Sequence, residues 1–160
     1  MNAVGAYEKS KTLAEKAAWD YLHGLPESER FELVTINPSL ILGPSLITGD
    51  FSSGQIVIKL LSGKFPGMPK LMMPIVDVRD VAHAHLQAIK IDEAKNKRFI
   101  LSSNSVWFKD VAEVLKQRYP RQNIKSGELG YCPVKVVSWF DKSVKMILPM
   151  WNKSLKVDHT

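Results

Sequence analysis

The sequence predicts an α/β fold built on parallel strand pairing, and three observations carry that expectation. Segments with helical apolar spacing alternate with short runs of β-branched and apolar residues. The chain has 160 residues, 45% of them hydrophobic, which is enough to bury a real core and too apolar for a disordered chain. No apolar run approaches the roughly 18 residues that a membrane span needs.

The elements follow in order. Residues 4–23 predict a helix, because Leu13, Ala14, Ala17, Ala18, Tyr21 and Leu22 recur at helical spacing among good helix formers. Gly24 and Pro26 stop it. Phe31–Asn37 predicts a buried strand, apolar and β-branched, and Pro38 ends its ladder because proline has no N–H to give. Residues 43–53 form a turn-rich loop, Gln55–Leu61 a helix closed by Gly63, and Lys64–Pro69 a second loop. Met72–Val78 is a short strand, and Arg79–Ile91 a helix with Ala82, Leu86 and Ile89 on one side. Arg98–Ser102 is another strand. Phe108–Tyr119 is a helix with Val111, Val114 and Leu115 inward, stopped by Pro120. Val134–Met146 has the pattern of an amphipathic helix. Two or three parallel strands cannot cover both faces of a sheet or hide its edges, so packing alone calls for strands from elsewhere.

Composition narrows the function. The formal charge of +6 is scattered and interrupted by acids, as on a solvated surface, so neither a nucleic-acid nor a membrane partner is expected. Cys132 is the only cysteine, which allows no internal disulfide and no cysteine-rich metal site. Met1–Ala6 has no basic stretch followed by an apolar core, so the expected compartment is cytoplasmic. His83 and His85 lie two apart and face different ways on a helix, so no metal site is expected. His85 reads as a satisfied, partly buried side chain, and His23 as a helix-end residue. Asp77 and Asp80 sit where acids stabilise the positive end of a helix.

Tyr7 and Lys11 lie four apart, on one face of the first helix. A phenol is a poor proton donor near neutrality, with a usual pKa of ~10. A cation held beside it stabilises the phenolate and makes the proton available to a carbonyl oxygen. The same ammonium has donors left for a ribose hydroxyl. Taken alone, the spacing also suits a surface helix with a packed tyrosine and a solvated lysine.

The longer string of Tyr7, Ser10, Lys11, Ala14, Glu15 and Trp19 is followed by Asn37-Pro38-Ser39-Leu40-Ile41-Leu42-Gly43-Pro44. Val76-Asp77-Val78-Arg79-Asp80-Val81-Ala82 and then Ala84-His85 come next. These blocks, in this order, resemble the extended short-chain dehydrogenases. The nearest likeness is to the reductases grouped with dihydroflavonol reductase, cinnamoyl-CoA reductase and the fungal methylglyoxal and ketone reductases. The stretch Phe140–Pro149 is also similar to the fungal members. The likeness runs from about residue 4 to 150 and matches the second half of such an enzyme.

The resemblance implies a partial Rossmann-type parallel sheet with a small C-terminal substrate lobe. Residues 1–105 would be the second half of the dinucleotide-binding domain with inserted pocket loops, and 106–160 the substrate lobe. It implies carbonyl reduction, with Tyr7 as the proton donor and Lys11 as its partner and ribose ligand. Pro38, with the backbone of Leu40 and Ile41, would pack on the nicotinamide end, and Ser53 would lie near cofactor or substrate. NADP(H) is expected in preference to NAD(H), with a small carbonyl or alcohol as substrate. Loops 44–54 and 64–72 and the segment after 121 would shape the substrate pocket. The family's glycine-rich phosphate-binding turn and its catalytic serine are not among these residues, so the expected partner is a missing N-terminal half or a second copy. Two alternatives stand beside this: a related epimerase or steroid dehydrogenase, and a non-catalytic module that retains the lobe. Thr35 and Ile36, ahead of Asn37–Pro44, favour the reductase branch over the epimerases.

Overall fold

The computed structural model describes residues 5–46, 53–63, 65–140, 148 and 151–152. Along them run α1 (Ala6–Gly24), β1 (Thr35–Pro38), β2 (Leu40–Leu42), α2 (Gly54–Leu61), β3 (Met72–Asp77) and α3 (Val78–Lys90). β4 (Arg98–Leu101), β5 (Asn104–Trp107), α4 (Phe108–Arg118) and α5 (Tyr131–Phe140) follow. The chain divides into two compact units, Met1–Asn37 with Ala82–Leu101 and Pro38–Val81 with Ser102–Thr160. The class is α/β, as expected.

The first unit contains α1, β4, all of β1 except Pro38, and the greater part of α3. Helix α1 ends at Gly24 because Leu25 is extended and Pro26 cannot continue the ladder. The Arg30 guanidinium then donates to the carbonyls of Leu25 (3.0 Å) and His23 (3.1 Å), satisfying acceptors freed at the helix end. Trp19 stacks on His23 in the last turn. β1 lies beside β4 in a two-stranded sheet. The Thr35 N–H donates to the Lys97 carbonyl, and the Leu33 N–H to Asn96 Oδ1.

Three expectations for this unit are corrected. The strand expected over Phe31–Asn37 begins only at Thr35, is half-buried, and extends through Pro38. Pro38 gives no hydrogen, but its carbonyl remains available at the strand end. The faces expected to point inward on α1 (Leu13, Ala14, Ala17, Ala18, Tyr21) and α3 (Ala82, Leu86, Ile89) are exposed. Leu22, the last of the expected series on α1, is buried as expected, and with it Glu15 and Trp19 turn inward, as do Val81, Ala84 and Ala88 on α3. Helical spacing identifies an apolar stripe but not what covers it. β4 likewise exposes Phe99 and Ile100.

The second unit holds a mixed sheet in the order β2-β3-β5. β2 and β3 are parallel, with Leu40 opposite Ile75 and Ile41 opposite Val76. β5 runs antiparallel to β3, with Met72 opposite Trp107 and Ile75 opposite Asn104. β5 was not foreseen and departs from the expected parallel pairing, because Asn104 and Ser105 hide its strand character. Leu60, Met68, Ala112 and Ile124 form the core, packed by Ile56, Phe65, Phe108, Val111 and Leu115. Val114 turns outward rather than inward.

Met68 lies in a segment read from sequence as a plain loop, yet it is buried. Its N–H donates to the Gly127 carbonyl, and its carbonyl accepts from the Leu129 N–H, both at 2.8 Å. Gly63 closes α2 with φ +65, and a Cβ there would meet the Asn123 carbonyl oxygen at 2.7 Å. That position therefore needs glycine on two counts. α5 begins at Tyr131, earlier than the helix expected from Val134. Residues 141–146 of that expected helix lie outside the described residues, as do residue 147, 47–52 of the turn-rich loop, residue 64, and residues 149–150, which include the end of the Phe140–Pro149 stretch.

Candidate active site

The first turns of α1 present the candidate chemistry. Gly5 caps the helix without a side-chain bond, and its carbonyl accepts from the Lys9 N–H. Ser10 and Thr12 return their hydroxyls to the carbonyls of Tyr7 and Glu8, so both are used within the helix. Tyr7 is 65% exposed, and the Lys11 ammonium lies 5.6 Å from the centre of its ring. That is within cation–π range, and it places phenol and ammonium on one open face, as their spacing required. The arrangement leaves the Tyr7 hydroxyl free to approach a substrate oxygen. It also leaves donors on Lys11 for a further ligand.

One turn past Lys11, Glu15 anchors this helix to the strands beneath it. One carboxylate oxygen, Oε1, accepts from Thr35 Oγ1 (3.1 Å), Asn37 Nδ2 (3.3 Å) and Arg98 Nε (2.7 Å). Arg98 Nη2 reaches the second oxygen, Oε2, at 3.5 Å. Burial pushes the Glu15 carboxyl up. The hydrogen bonds from Arg98, Thr35 and Asn37, with the Arg98 charge, more than offset this and hold it below the usual carboxylate value. Glu15 stood in the motif string but was given no role, because Arg98 is 83 residues away and nothing local ties the two.

The remaining candidates belong to the second unit. Leu40 and Ile41 lie in β2, paired with β3, and Pro38 precedes them by two and three residues. Ser39 Oγ, between these residues, is buried and has no hydrogen-bond partner. A buried hydroxyl left unsatisfied is costly, so a polar atom of a bound molecule would stabilise this segment. That fits a carbonyl- or amide-bearing group beside the Pro38–Ile41 backbone. Ser53 immediately precedes α2 and makes no side-chain cap bond. Gly43 has φ +137, and a Cβ there would meet Val78 Cγ1 at 2.8 Å, so the turn after β2 needs glycine.

Of the expected pocket loops, Pro66 of residues 64–72 and residues 121–127 of the segment after 121 line a cleft of about 590 Å³, while Met68 and Leu71 are buried core side chains. Asp77 takes its expected place at the start of α3. Its Oδ1 accepts from the Arg79 backbone N–H (2.8 Å) and Nε (2.9 Å), and its Oδ2 from Nη2 (2.7 Å). The side-chain and backbone hydrogen bonds from Arg79 lower its pKa to about 2. His85 is exposed rather than partly buried. Among the described residues no cluster of acids, histidines or cysteines could hold a metal ion, and no helix is long and apolar enough to cross a membrane.

Comparison with known proteins gives a consistent set of relatives. The chain is 36% identical over 135 residues to the NADPH-dependent methylglyoxal reductase of Saccharomyces cerevisiae, covering 79% of this chain and 40% of that one. It is 30% identical over 135 residues to a cinnamoyl-CoA reductase of Medicago truncatula, covering 82% and 40%. The crystal structure of the yeast methylglyoxal/isovaleraldehyde reductase complexed with NADPH superposes with a TM-score of 0.67 at 36% identity, over 76% of this chain and 38% of that one. No protein-family model matches. The chain thus spans about two fifths of the length of the curated relatives it matches.

Proposed function

We propose that this chain, homologous over about two fifths of their length to the extended short-chain reductases, carries the proton-transfer part of an NADPH-dependent reductase of small aldehydes and ketones. The observation that carries this reading is the Tyr7–Lys11 pair, phenol and ammonium together on one open helix face. NADPH, when bound, supplies the hydride that adds to the carbonyl carbon and is left as NADP+. Tyr7 gives its phenolic proton to the carbonyl oxygen, so the substrate leaves as the alcohol. Lys11 stabilises the phenolate that remains and donates to a ribose hydroxyl. Glu15 fixes the helix that holds both.

Pro38, the backbone of Leu40 and Ile41, and Ser53 keep the cofactor-binding role expected from the sequence. The unsatisfied Ser39 hydroxyl supports a polar ligand at that segment. Residues 1–105 and 106–160 remain our division of roles, cofactor side and substrate side, although the compact units cut the chain elsewhere. The cytoplasm is the compartment this chemistry suits. The 160 residues contain no glycine-rich turn to cradle a pyrophosphate, so they are expected to bind dinucleotide weakly by themselves.

The test is a chimera in which residues 5–140 replace the matched segment of the yeast methylglyoxal reductase, followed by NADPH oxidation with methylglyoxal. Tyr7→Phe is expected to lower kcat by about 10²–10⁴-fold with little change in KM. An active chimera whose Tyr7→Phe variant turns over at the parent rate would end this assignment.

A further inference from the structure

The second unit carries a cleft of about 590 Å³ to which the proposed proton transfer gives no role. Lys116, Arg121 and Lys125 line it together with Gln122, Asn123 and Ser126, and no acidic residue does. Elsewhere basic side chains meet carboxylates, as Lys16, Arg79, Lys95, Arg98 and Lys109 do. Among the described residues the three cations of the cleft form no ion pair, and they and the two amide side chains make no hydrogen bond. Helix electrostatics accounts for Lys116 alone. It sits in the last turn of α4, where the negative end of the helix favours a cation. Arg121 and Lys125 lie beyond the helix, where that field has fallen away. The loop that holds them is fixed from beneath. Ile124 is buried in the core, the Gln122 N–H donates to the Tyr119 carbonyl (3.0 Å), and the Gly127 carbonyl accepts from the Met68 N–H (2.8 Å). Like charges held around one cleft on a fixed loop repel one another, and an anion among them relieves that repulsion with little ordering cost.

We propose that this cleft is a binding site for a small, multiply charged anion of the phosphate-ester or diphosphate class. Its volume of about 590 Å³ falls within the roughly 300–1,000 Å³ of clefts that hold small molecules. The planar Arg121 guanidinium would give two parallel N–H donors to phosphate oxygens, with Lys116 and Lys125 as point charges beside it. The Gln122 and Asn123 amides and the Ser126 hydroxyl would supply further donors. A monocarboxylate is the poorer ligand, because one negative charge leaves two of the three cations unanswered. A nucleic acid is poorer still, since the remaining basic residues are scattered among acids and lay down no track for a phosphate backbone. The site is defined by cavity and charge alone, so it does not depend on the roles given to Tyr7 and Lys11.

The test titrates the purified 160-residue chain with inorganic pyrophosphate, read by calorimetry and by amide NMR shifts, with sodium acetate at equal ionic strength as the control. One-to-one binding is expected, with shifts concentrated at residue 116 and residues 120–127, and with acetate about tenfold weaker or more. Arg121→Gln and Lys125→Gln should each weaken pyrophosphate binding about threefold to tenfold, and the double variant further. Lys90→Gln removes a cation from the last turn of α3, outside this cleft, and should leave binding unchanged. Circular dichroism of each variant separates loss of the site from loss of fold. The shift map is read on the parent chain, so it decides the question even where a variant fails to fold. Shifts spread over the surface lysines would overturn the proposal, as would an equal loss of affinity in Lys90→Gln and Arg121→Gln. A folded chain that ignores millimolar pyrophosphate would end it, and uptake by phosphatidylserine vesicles in that case would reassign the cations to a membrane surface.

Discussion

The two units contain similar elements and bury them very differently. In the first, the buried apolar side chains among the described residues are Leu22 and Ala94. In the second they are Leu60, Met68, Leu71, Val76, Val81, Ala112, Ile124 and Val134. The first leaves an apolar cavity of about 340 Å³ against its sheet, while the second leaves about 20 Å³ among β2, β3, α2 and α4 and keeps its larger, more polar cleft of about 590 Å³ outside that space, between Pro66 and residues 120–127. The first unit is therefore held by local helix bonds and a polar anchor, and the second by packing. The candidate chemistry rides on the less well-packed unit, so the placement of Tyr7 and Lys11 depends on Glu15.

The strongest way to sharpen this contrast is to empty the second core. Leu60 is 2% exposed and belongs to the central cluster with Met68, Ala112 and Ile124. Leu60→Ala should cost about 2–5 kcal/mol in urea unfolding, because a cavity is left as well as transfer free energy lost. A loss below about 1 kcal/mol would mean that this core is not what holds the chain.

The next effect lies at the polar anchor of the first unit. Glu15→Ala strips acceptors from Thr35, Asn37 and Arg98 at once, and should cost about 1–3 kcal/mol. The pH dependence has a definite sign. The folded carboxyl titrates below its unfolded value, so its contribution is complete above the unfolded carboxylate pKa and is lost as pH falls through the lowered folded value. Glu15→Gln should remove that part of the acid dependence while keeping some of the hydrogen bonding. Fluorescence-monitored unfolding from neutral to acid pH reads both variants, and identical acid profiles for Glu15→Gln and the parent would deny Glu15 this role.

A smaller effect belongs to Asp77. Its carboxyl is lowered from the usual 3.8 to about 2 by the hydrogen bonds from Arg79. The cap on α3 therefore contributes above the unfolded value and fades as pH drops from near 3.8 toward 2. Asp77→Ala should reduce Tm slightly at neutral pH and make no difference once the parent carboxyl is protonated. An equal loss of Tm at both pH values would assign the effect to packing.

The same contrast explains what could be read in advance. α1, α2, α3 and α4 were legible because their capping and stop residues, such as Gly24, Pro26 and Pro120, are local. The Tyr7–Lys11 pair was legible because helical spacing alone brings the two together. Burial was not legible in the first unit, where Leu13, Leu86 and Ile89 have the spacing of a core face without the core. β5 and the buried Met68 were missed because each owes its place to a neighbour far along the chain, Ile75 and Gly127 respectively. Glu15 was missed for the same reason, since Arg98 defines its role.

The smallest predicted change is the most telling control. By its residue type Ile89 belongs in a core, and in a filled one Ile→Ala would cost about 2–5 kcal/mol. At 84% exposure it has little burial to lose, so Ile89→Ala in this chain should move stability by no more than about 0.5 kcal/mol. Urea unfolding of parent and variant measures the difference. If Ile89→Ala is already expensive in the isolated chain, the first unit has a core of its own and the contrast with the second unit disappears.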